Sequence, residues 1–239
     1  MYYFCLHYYI ATPYGLAHDI ANNRIFIYES SGRVRMVQNG IITTVVGSGT
    51  TGCCNDGGAS TSGLLSLGIG IAYYPAQNAI YVADFYNNRI RKAVIGGTIT
   101  TISETVSNCD TNGQLASVSE FYGIKGMSIE GDNLLVADTY AQRIRAISKT
   151  TGVITTLAGN GLYSPGAYSG QGTTNSLSNP FSVFASPLYY YIADTENCRI
   201  GRVSKSTGVM SNYNGDGTCS NTANVQNLYF HTTGFVYIT

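Results

Sequence analysis

One phrase occurs three times in this chain. VADFYNNRIRKAV (Val82 to Val94) returns as VADTYAQRIRAIS and as IADTENCRIGRVS, each time an apolar segment, an acid, a short turn and an arginine-bearing segment. Four acids that end such apolar segments are spaced by 55, 54 and 56 residues: Glu29, Asp84, Asp138 and Asp194. A fixed period of this length is typical of stacked structural repeats. The chain is therefore expected to build its fold from copies of one unit.

Each repeat contains four short apolar segments. In the second repeat these are GIAYY, AIYVAD, RIRKAV and TITTIS, separated by the turn formers PAQN, FYNN and GG. Short segments rich in β-branched and aromatic residues, bounded by turn residues, predict a four-stranded antiparallel sheet. Sheets repeated in this way cover their two apolar faces with one another, as the blades of a β-propeller do. We therefore predict an all-β fold, a β-propeller.

The repeats predict one propeller domain over residues 1–239. Blades are expected at about 13–46, 69–103, 121–158 and 180–213, with a partial fifth at 225–239. The tyrosine-rich segment 1–12 could supply a closing strand that pairs with the partial fifth repeat. The last repeat lacks its arginine-bearing strand, so we favour the other interpretation, a fragment of a longer, six-bladed propeller.

The repeated phrase resembles the NHL repeat. YVADFYNNRIRKAV and its two relatives carry the resemblance, and PYGLAHD (Pro13 to Asp19) resembles the entry strand of that family. The likeness extends over residues 13–239, with departures such as Glu29 where the other repeats have Asp. It implies a propeller scaffold and leaves the function open, because one fold hosts many functions.

Each acid of the repeat has an arginine close behind it. The two flank a tight turn between antiparallel strands, so their side chains can meet across the hairpin, which predicts a structural ion pair in every blade. The pairs are Glu29 with Arg33, Asp84 with Arg89, Asp138 with Arg143, and Asp194 with Arg199. The alternative is a ring of carboxylates around the channel that binds a metal or supplies general bases.

Charge and hydropathy narrow the range of partners. Thirteen basic residues balance thirteen acidic ones and only 11% of residues are charged, which argues against a nucleic-acid partner. No apolar run is long enough for a transmembrane helix. The expected partner is a protein or a small ligand, and the sequence leaves its identity and the oligomeric state open.

The six cysteines include no CxxC pair, so a metal or redox site built on them is not expected. Cys53 and Cys54 are adjacent, and we expect one of them, Cys54, to form a disulfide with Cys109 in the equivalent loop of the next blade. The loop CCNDGG lacks the ligand series of an EF-hand. No cofactor is predicted, with calcium or zinc as the alternative. The compartment stays open, and an extracellular protein or ectodomain is slightly favoured.

The long loops between blades are the predicted binding elements. They leave the same strand position in successive blades and should gather on one face, where rigid scaffolds commonly carry recognition. The candidate residues in or beside them are Asp56, Asp110, Tyr122, Tyr163 and Tyr168. We predict a non-enzymatic interaction or ligand-binding scaffold without catalytic residues. The alternatives are a metal-dependent lyase or hydrolase at the channel mouth, with His18 as a candidate, and the sensor ectodomain of a larger membrane protein.

Overall fold

The described part of the chain folds into four four-stranded antiparallel sheets. The structure, a computed structural model, describes residues 9–53, 55–103, 113–164, 168–219, 228–230 and 236–238. The strands of each sheet follow one another in chain order, so each sheet is a simple meander, which we call a blade. The prediction of an all-β propeller with four-stranded antiparallel blades is confirmed.

The strand bounds follow the repeat. Blade one contains β1 (Pro13–Asp19), β2 (Arg24–Glu29), β3 (Arg33–Gln38) and β4 (Ile41–Val46); blade two contains β5 (Ile71–Tyr74), β6 (Ala79–Asp84), β7 (Arg89–Val94) and β8 (Ile99–Thr101). Blade three contains β9 (Ile124–Glu130), β10 (Asn133–Asp138), β11 (Arg143–Ser148) and β12 (Ile154–Ala158); blade four contains β13 (Pro180–Ala185), β14 (Tyr189–Asp194), β15 (Arg199–Ser204) and β16 (Met210–Asn214).

A two-stranded antiparallel sheet follows blade four, in the region expected to hold the partial fifth blade. It consists of β17 (Leu228–Phe230) and β18 (Val236–Ile238). Residues 1–8 of the expected closing strand lie outside the described residues. Within the described part of the chain, no helix is long and apolar enough to cross a membrane.

Single 3₁₀ turns close several of the connections. They are Ser60–Ser62, Pro75–Gln77, Phe85–Asn87, Ala116–Val118, Gly172–Thr174 and Thr195–Asn197. The hairpin turns Pro75–Gln77 and Phe85–Asn87 each end at an asparagine in the left-handed conformation, Asn78 at φ 46° and Asn88 at φ 49°. Asparagine tolerates this backbone region better than most side chains, which is why the sequence signals PAQN and FYNN mark tight turns.

Side-chain alternation divides each blade between two cores. In β6, Ile80 and Val82 pack in the core shared with blade one, whereas Tyr81 and Ala83 pack in the core shared with blade three. The same alternation recurs in β10, where Leu134 belongs to the core with blade two. Because successive strand residues point to opposite faces, every blade is apolar on both faces and depends on its neighbours for burial.

The first strands of the four blades lie side by side around a central channel. Each has a small residue at the same position, namely Gly15 in β1, Gly70 before β5, Gly126 in β9 and Ser182 in β13. A Cβ atom on Gly15 would lie 2.6 Å from the carbonyl oxygen of Ile69 in the next blade. The missing side chain therefore allows neighbouring inner strands to approach closely.

Candidate functional site

The repeated aspartates fasten each blade to the loop that precedes it. One carboxylate oxygen of Asp84 accepts the backbone N–H of Ser66 at 2.7 Å, and Asp138 accepts that of Tyr122 at 2.7 Å. Asp194 accepts the N–H of Ser178 at 2.6 Å. All three aspartates are fully buried. Their geometry is that of structural anchors between a hairpin and an interblade loop.

The arginine that pairs with the acid differs from the expected one in the first three blades. The ion pairs are Arg35 with Glu29 at 3.5 Å, Arg91 with Asp84 at 3.6 Å and Arg145 with Asp138 at 2.9 Å. The expected partners were the arginines two positions earlier in each blade, so those three predicted pairs are wrong. Period-two alternation keeps both arginines on one face, and the tertiary packing selects the second. Blade four has Gly201 at that second position, and Arg199 pairs with Asp194 at 3.8 Å, as expected.

The earlier arginine has a different environment. The Arg143 guanidinium lies against Gly161, where a Cβ atom would approach Nη2 to 2.6 Å. The equivalent Arg33 lies against Gly49 in the same way. Both glycines belong to a Gly-x-Gly segment in a left-handed conformation, at φ 84° and 86°. The first arginine of these blades thus packs on the backbone of the interblade loop.

The channel is a cavity of about 580 Å³ lined by the inner strands. Its lining residues are Tyr14–Ala17, His18, Ile25, Ile69–Tyr73, Lys125–Ile129 and Phe181–Phe184. None of these described lining residues is acidic. The alternative prediction of a carboxylate ring around the channel is therefore wrong for the four described blades, because hairpin anchoring buries the aspartates elsewhere. The described residues also contain no group of three or more His, Cys, Asp or Glu side chains arranged to hold a metal.

Lys125 breaks the pattern of the channel mouth. At the corresponding position the other blades have Tyr14, Ile69 and Phe181, so the charged side chain occurs in blade three alone among the described blades. Its ammonium lies 4.9 Å from the ring centre of Phe181 and 5.6 Å from that of Tyr140. Partial burial lowers the pKa of this ammonium, and the charge of Glu196 opposes the shift.

Exposed tyrosines lie to one side of this mouth, beginning with Tyr140 beside Lys125. The hairpins between the second and third strands bond to the interblade loops, through Tyr86 N–H to the Ser66 carbonyl and Tyr140 N–H to the Tyr122 carbonyl, so both lie at the same end of the sheets. We call this the loop end. Phe85 contacts Tyr86 and Tyr140, and Tyr140 contacts Tyr122, with ring centres 5.2 to 5.9 Å apart.

A hydrogen-bonded cluster around Glu196 also lies at the loop end. Tyr163 donates its hydroxyl proton to Glu196 at 2.6 Å, and the Asn179 amide also donates to the Glu196 carboxylate. These hydrogen bonds, that of Tyr163 first, lower the pKa of Glu196. We call Tyr86, Tyr122, Tyr140 and Tyr163 together the aromatic face.

The candidate loop residues divide into two groups. Tyr122 and Tyr163 are exposed on the aromatic face. Asp56 instead holds the guanidinium of buried Arg91 at 2.5 Å and accepts the N–H of Thr101. Tyr168 turns inward, donates its hydroxyl to Asp194, and carries Arg199 over its ring at 4.1 Å. Asp110 lies outside the described residues.

The observed disulfide joins a different pair of cysteines. Cys198 is bonded to Cys219 across a separation of 21 residues. The expected partners Cys54 and Cys109 both lie outside the described residues, so that prediction stays open. Cys198 occupies the left-handed hairpin position held by Asn88 in blade two, at φ 50°. This replacement of a turn-forming asparagine was the sequence signal for a special role at Cys198.

Sequence reasoning also missed Lys125, Tyr140 and Glu196. Lys125 could have been found from the sequence. When the first strands of the four blades are aligned, this position is a lysine in blade three and Tyr14, Ile69 or Phe181 in the others. Tyr140 and Glu196 lie in hairpin turns, where polar and aromatic residues are ordinary, so no local pattern distinguishes them.

Comparison with known proteins supports the fold and goes no further. No family model matches the chain. The protein SUPPRESSOR OF QUENCHING 1, chloroplastic, of Arabidopsis thaliana is 25% identical over 209 residues, which cover 82% of this chain and 20% of that protein. The chain therefore spans about a fifth of that relative.

Two solved structures are similar along nearly the whole chain. Virginiamycin B lyase from Staphylococcus aureus is 14% identical with a TM-score of 0.61, over 95% of this chain and 63% of that one. An auxiliary nutrient binding protein from Bacteroides ovatus is 14% identical with a TM-score of 0.65, over 96% and 56%. This chain covers less than two thirds of either structure. At such identity the likeness shows the fold alone, and the chain is a β-propeller.

Proposed function

We propose that this chain is an NHL-type β-propeller that acts as a non-enzymatic protein-interaction scaffold through its loop end. The repeated phrase resembles the NHL repeat, and the aspartates and arginines of that phrase support the hairpins and loops from within. Because these repeated residues stabilise the scaffold in every blade, we assign recognition to the surface residues that differ from blade to blade. The binding surface is the aromatic face.

The exposure of four tyrosines carries this proposal. Tyr86 is 67% exposed, Tyr163 61%, Tyr122 49% and Tyr140 43%. Tyrosine is enriched where proteins meet, because a rigid ring covers a large area and its hydroxyl can still form a hydrogen bond. Tyr122 contacts Tyr140, and Phe85 contacts both Tyr140 and Tyr86, so these rings form one continuous aromatic surface that a partner can cover.

The same geometry offers less support for an enzyme. Lyases and hydrolases that use a metal need clustered ligands, whereas the described channel lining combines one lysine, one histidine and no carboxylate. Among the structural neighbours are a lyase and a nutrient binding protein, and a propeller can serve either role. We infer that no resident metal is needed.

The location of the protein can be inferred from its disulfide. Disulfides persist in oxidising compartments and are uncommon in the reducing cytosol. The Cys198–Cys219 bond therefore favours a compartment outside the cytosol. The Arabidopsis relative is named as chloroplastic, at 25% identity.

The test is a quantitative binding comparison among three proteins. Partners captured from an extract of the source cells by the unaltered chain are identified by mass spectrometry, and the Kd of a purified partner is then measured. The double variant Tyr86→Ala with Tyr122→Ala should weaken binding by about thirtyfold or more, the effect expected at an interface hot spot.

The control is Leu188→Ala. Leu188 is 69% exposed in the β13–β14 hairpin, at the opposite end of blade four. This variant should bind as the unaltered chain does, and the melting temperatures of all three proteins should agree. Unchanged binding in the tyrosine variant, or equal loss in the control, would refute the aromatic face as the interface.

A further inference from the structure

The channel has an uneven distribution of charge. Its described lining residues include two basic side chains, Lys125 and His18, and no carboxylate. Most of the remaining lining is apolar or aromatic, with the hydroxyls of Ser128 and Ser182 between. A volume of about 580 Å³ is within the range of small-molecule sites, which extends from roughly 300 to 1,000 Å³.

Lys125 is held at the mouth without a counter-ion in contact. Glu196 is near enough to influence the Lys125 pKa, yet no Lys125 ion pair within 4.0 Å occurs among the described residues. The carboxylate of Glu196 is held instead by Tyr163 and Asn179. The described contacts of the ammonium are the rings of Phe181 and Tyr140, so its three N–H donors remain available for a ligand.

The surroundings of Lys125 strengthen its attraction for anions. A partly buried ammonium has lost part of its hydration, and Coulomb attraction is stronger where water is excluded. The neighbouring Phe181 and Met127 provide apolar surface inside the mouth. A ligand that joins a carboxylate to an apolar ring would satisfy both features.

We propose that the channel is a binding site for small amphipathic anions, with Lys125 holding the carboxylate at the mouth and the inner strands enclosing the apolar body. This site uses other side chains than the proposed protein interface, because the four tyrosines of the aromatic face do not line the cavity. The two sites adjoin at the mouth, where the Tyr140 ring lies 5.6 Å from the Lys125 ammonium. Ligand binding is therefore tested on the protein without a partner, and its failure would leave the proposed interface untouched.

The probes are indole-3-acetate and its neutral analogue indole-3-acetamide, which share ring and shape. The chain contains no tryptophan, so indole fluorescence reports on the ligand alone when excited beyond the tyrosine absorption. The anion should bind the unaltered protein at least about tenfold more tightly than the amide, the ratio expected for a charge-assisted hydrogen bond. Lys125→Met should abolish this preference, and Lys125→Arg should retain it.

Lys149→Met is the matched control. Lys149 is also a partly buried lysine over an aromatic ring, that of Tyr74 at 4.4 Å, but it lies in the β11–β12 hairpin and does not line the channel. Its substitution should leave the preference intact. Equal affinity for the two probes, no binding of either at millimolar concentration, or a preference that survives Lys125→Met would overturn the proposal.

Discussion

Gly126→Ala tests the close approach of the inner strands beside Lys125. A Cβ atom at this position would lie 2.6 Å from the Phe181 carbonyl oxygen, and 2.7 and 2.8 Å from the Cα and Cβ atoms of Ser182. Two of these three atoms belong to the backbone of β13, so they cannot move aside as the end of a flexible side chain would. The methyl group can enter only if β9 and β13 separate.

The cost can be estimated from the structure. Restoring ordinary van der Waals contact requires the strands to separate by roughly 0.7 Å, and overpacking of this kind costs about 1–3 kcal/mol. Alanine also lowers the conformational entropy of the unfolded chain relative to glycine, which stabilises the folded state by about 0.4–1 kcal/mol and offsets part of this cost. The expected net loss of unfolding free energy is about 1–2 kcal/mol, or roughly 2–8 °C in Tm for a chain of this size.

Thermal and urea unfolding followed by circular dichroism provide the assay. The control is Gly58→Ala, where the nearest atom to the new Cβ, the Asn55 carbonyl oxygen, is at an ordinary 3.4 Å. This variant should be as stable as the unaltered protein or slightly more so. If Gly126→Ala unfolds at the same temperature as Gly58→Ala, the inner strands do not pack as closely as described, and the shape of the channel must be reconsidered.

Two further predictions concern pH and metals. Tyr163→Phe removes the main hydrogen bond that lowers the pKa of Glu196, so this pKa should rise towards its ordinary value in an NMR titration of the side-chain carboxyl carbon, while Tyr86→Phe should leave it unchanged. Because the folded-state pKa of Glu196 is below its unfolded value, the hydrogen bond stabilises the fold at pH values above the unfolded pKa, and this contribution is lost as the pH falls through the folded pKa. The Tyr163→Phe variant lacks this contribution, so its unfolding free energy should fall less on acidification than that of the unaltered protein. An unchanged Glu196 pKa in the variant would contradict the assignment. For metals, the melting temperature should be the same in calcium, zinc and chelator, and a chelator-sensitive melt with bound metal near one per chain would favour the enzyme alternative instead.

The repeat was predictable because its signals are local. Hairpin residues such as Asn78 and Asn88 specify tight turns through their own backbone preferences, and alternation along AIYVAD assigns Ile80 and Tyr81 to opposite faces. The charged phrase was harder to interpret. Arg89 and Arg91 lie on the same face of one strand, so spacing alone does not reveal that Arg91 pairs with Asp84.

The candidate site depended on contacts between distant segments. Lys125 reaches the Phe181 ring 56 positions along the chain, and Tyr163 reaches Glu196 across 33. Side chains at such separations meet only when blades pack in one particular arrangement, and no periodicity within a strand encodes that packing. The aromatic face is assembled in the same way, from the hairpins of blades two and three and the loops that precede blades three and four.

The sequence by itself determined the all-β class, the four-stranded unit and its repetition, since strand alternation and turn chemistry act over a few residues. Tertiary structure alone decided that the repeated aspartates are buried as anchors and not arranged around the channel, and that Cys198 bonds Cys219. It also decided that Lys125 stands at the mouth of an otherwise mostly apolar cavity. The physical reason is that equivalent residues in a repeat share their local conformation but not their neighbours across the blade interface.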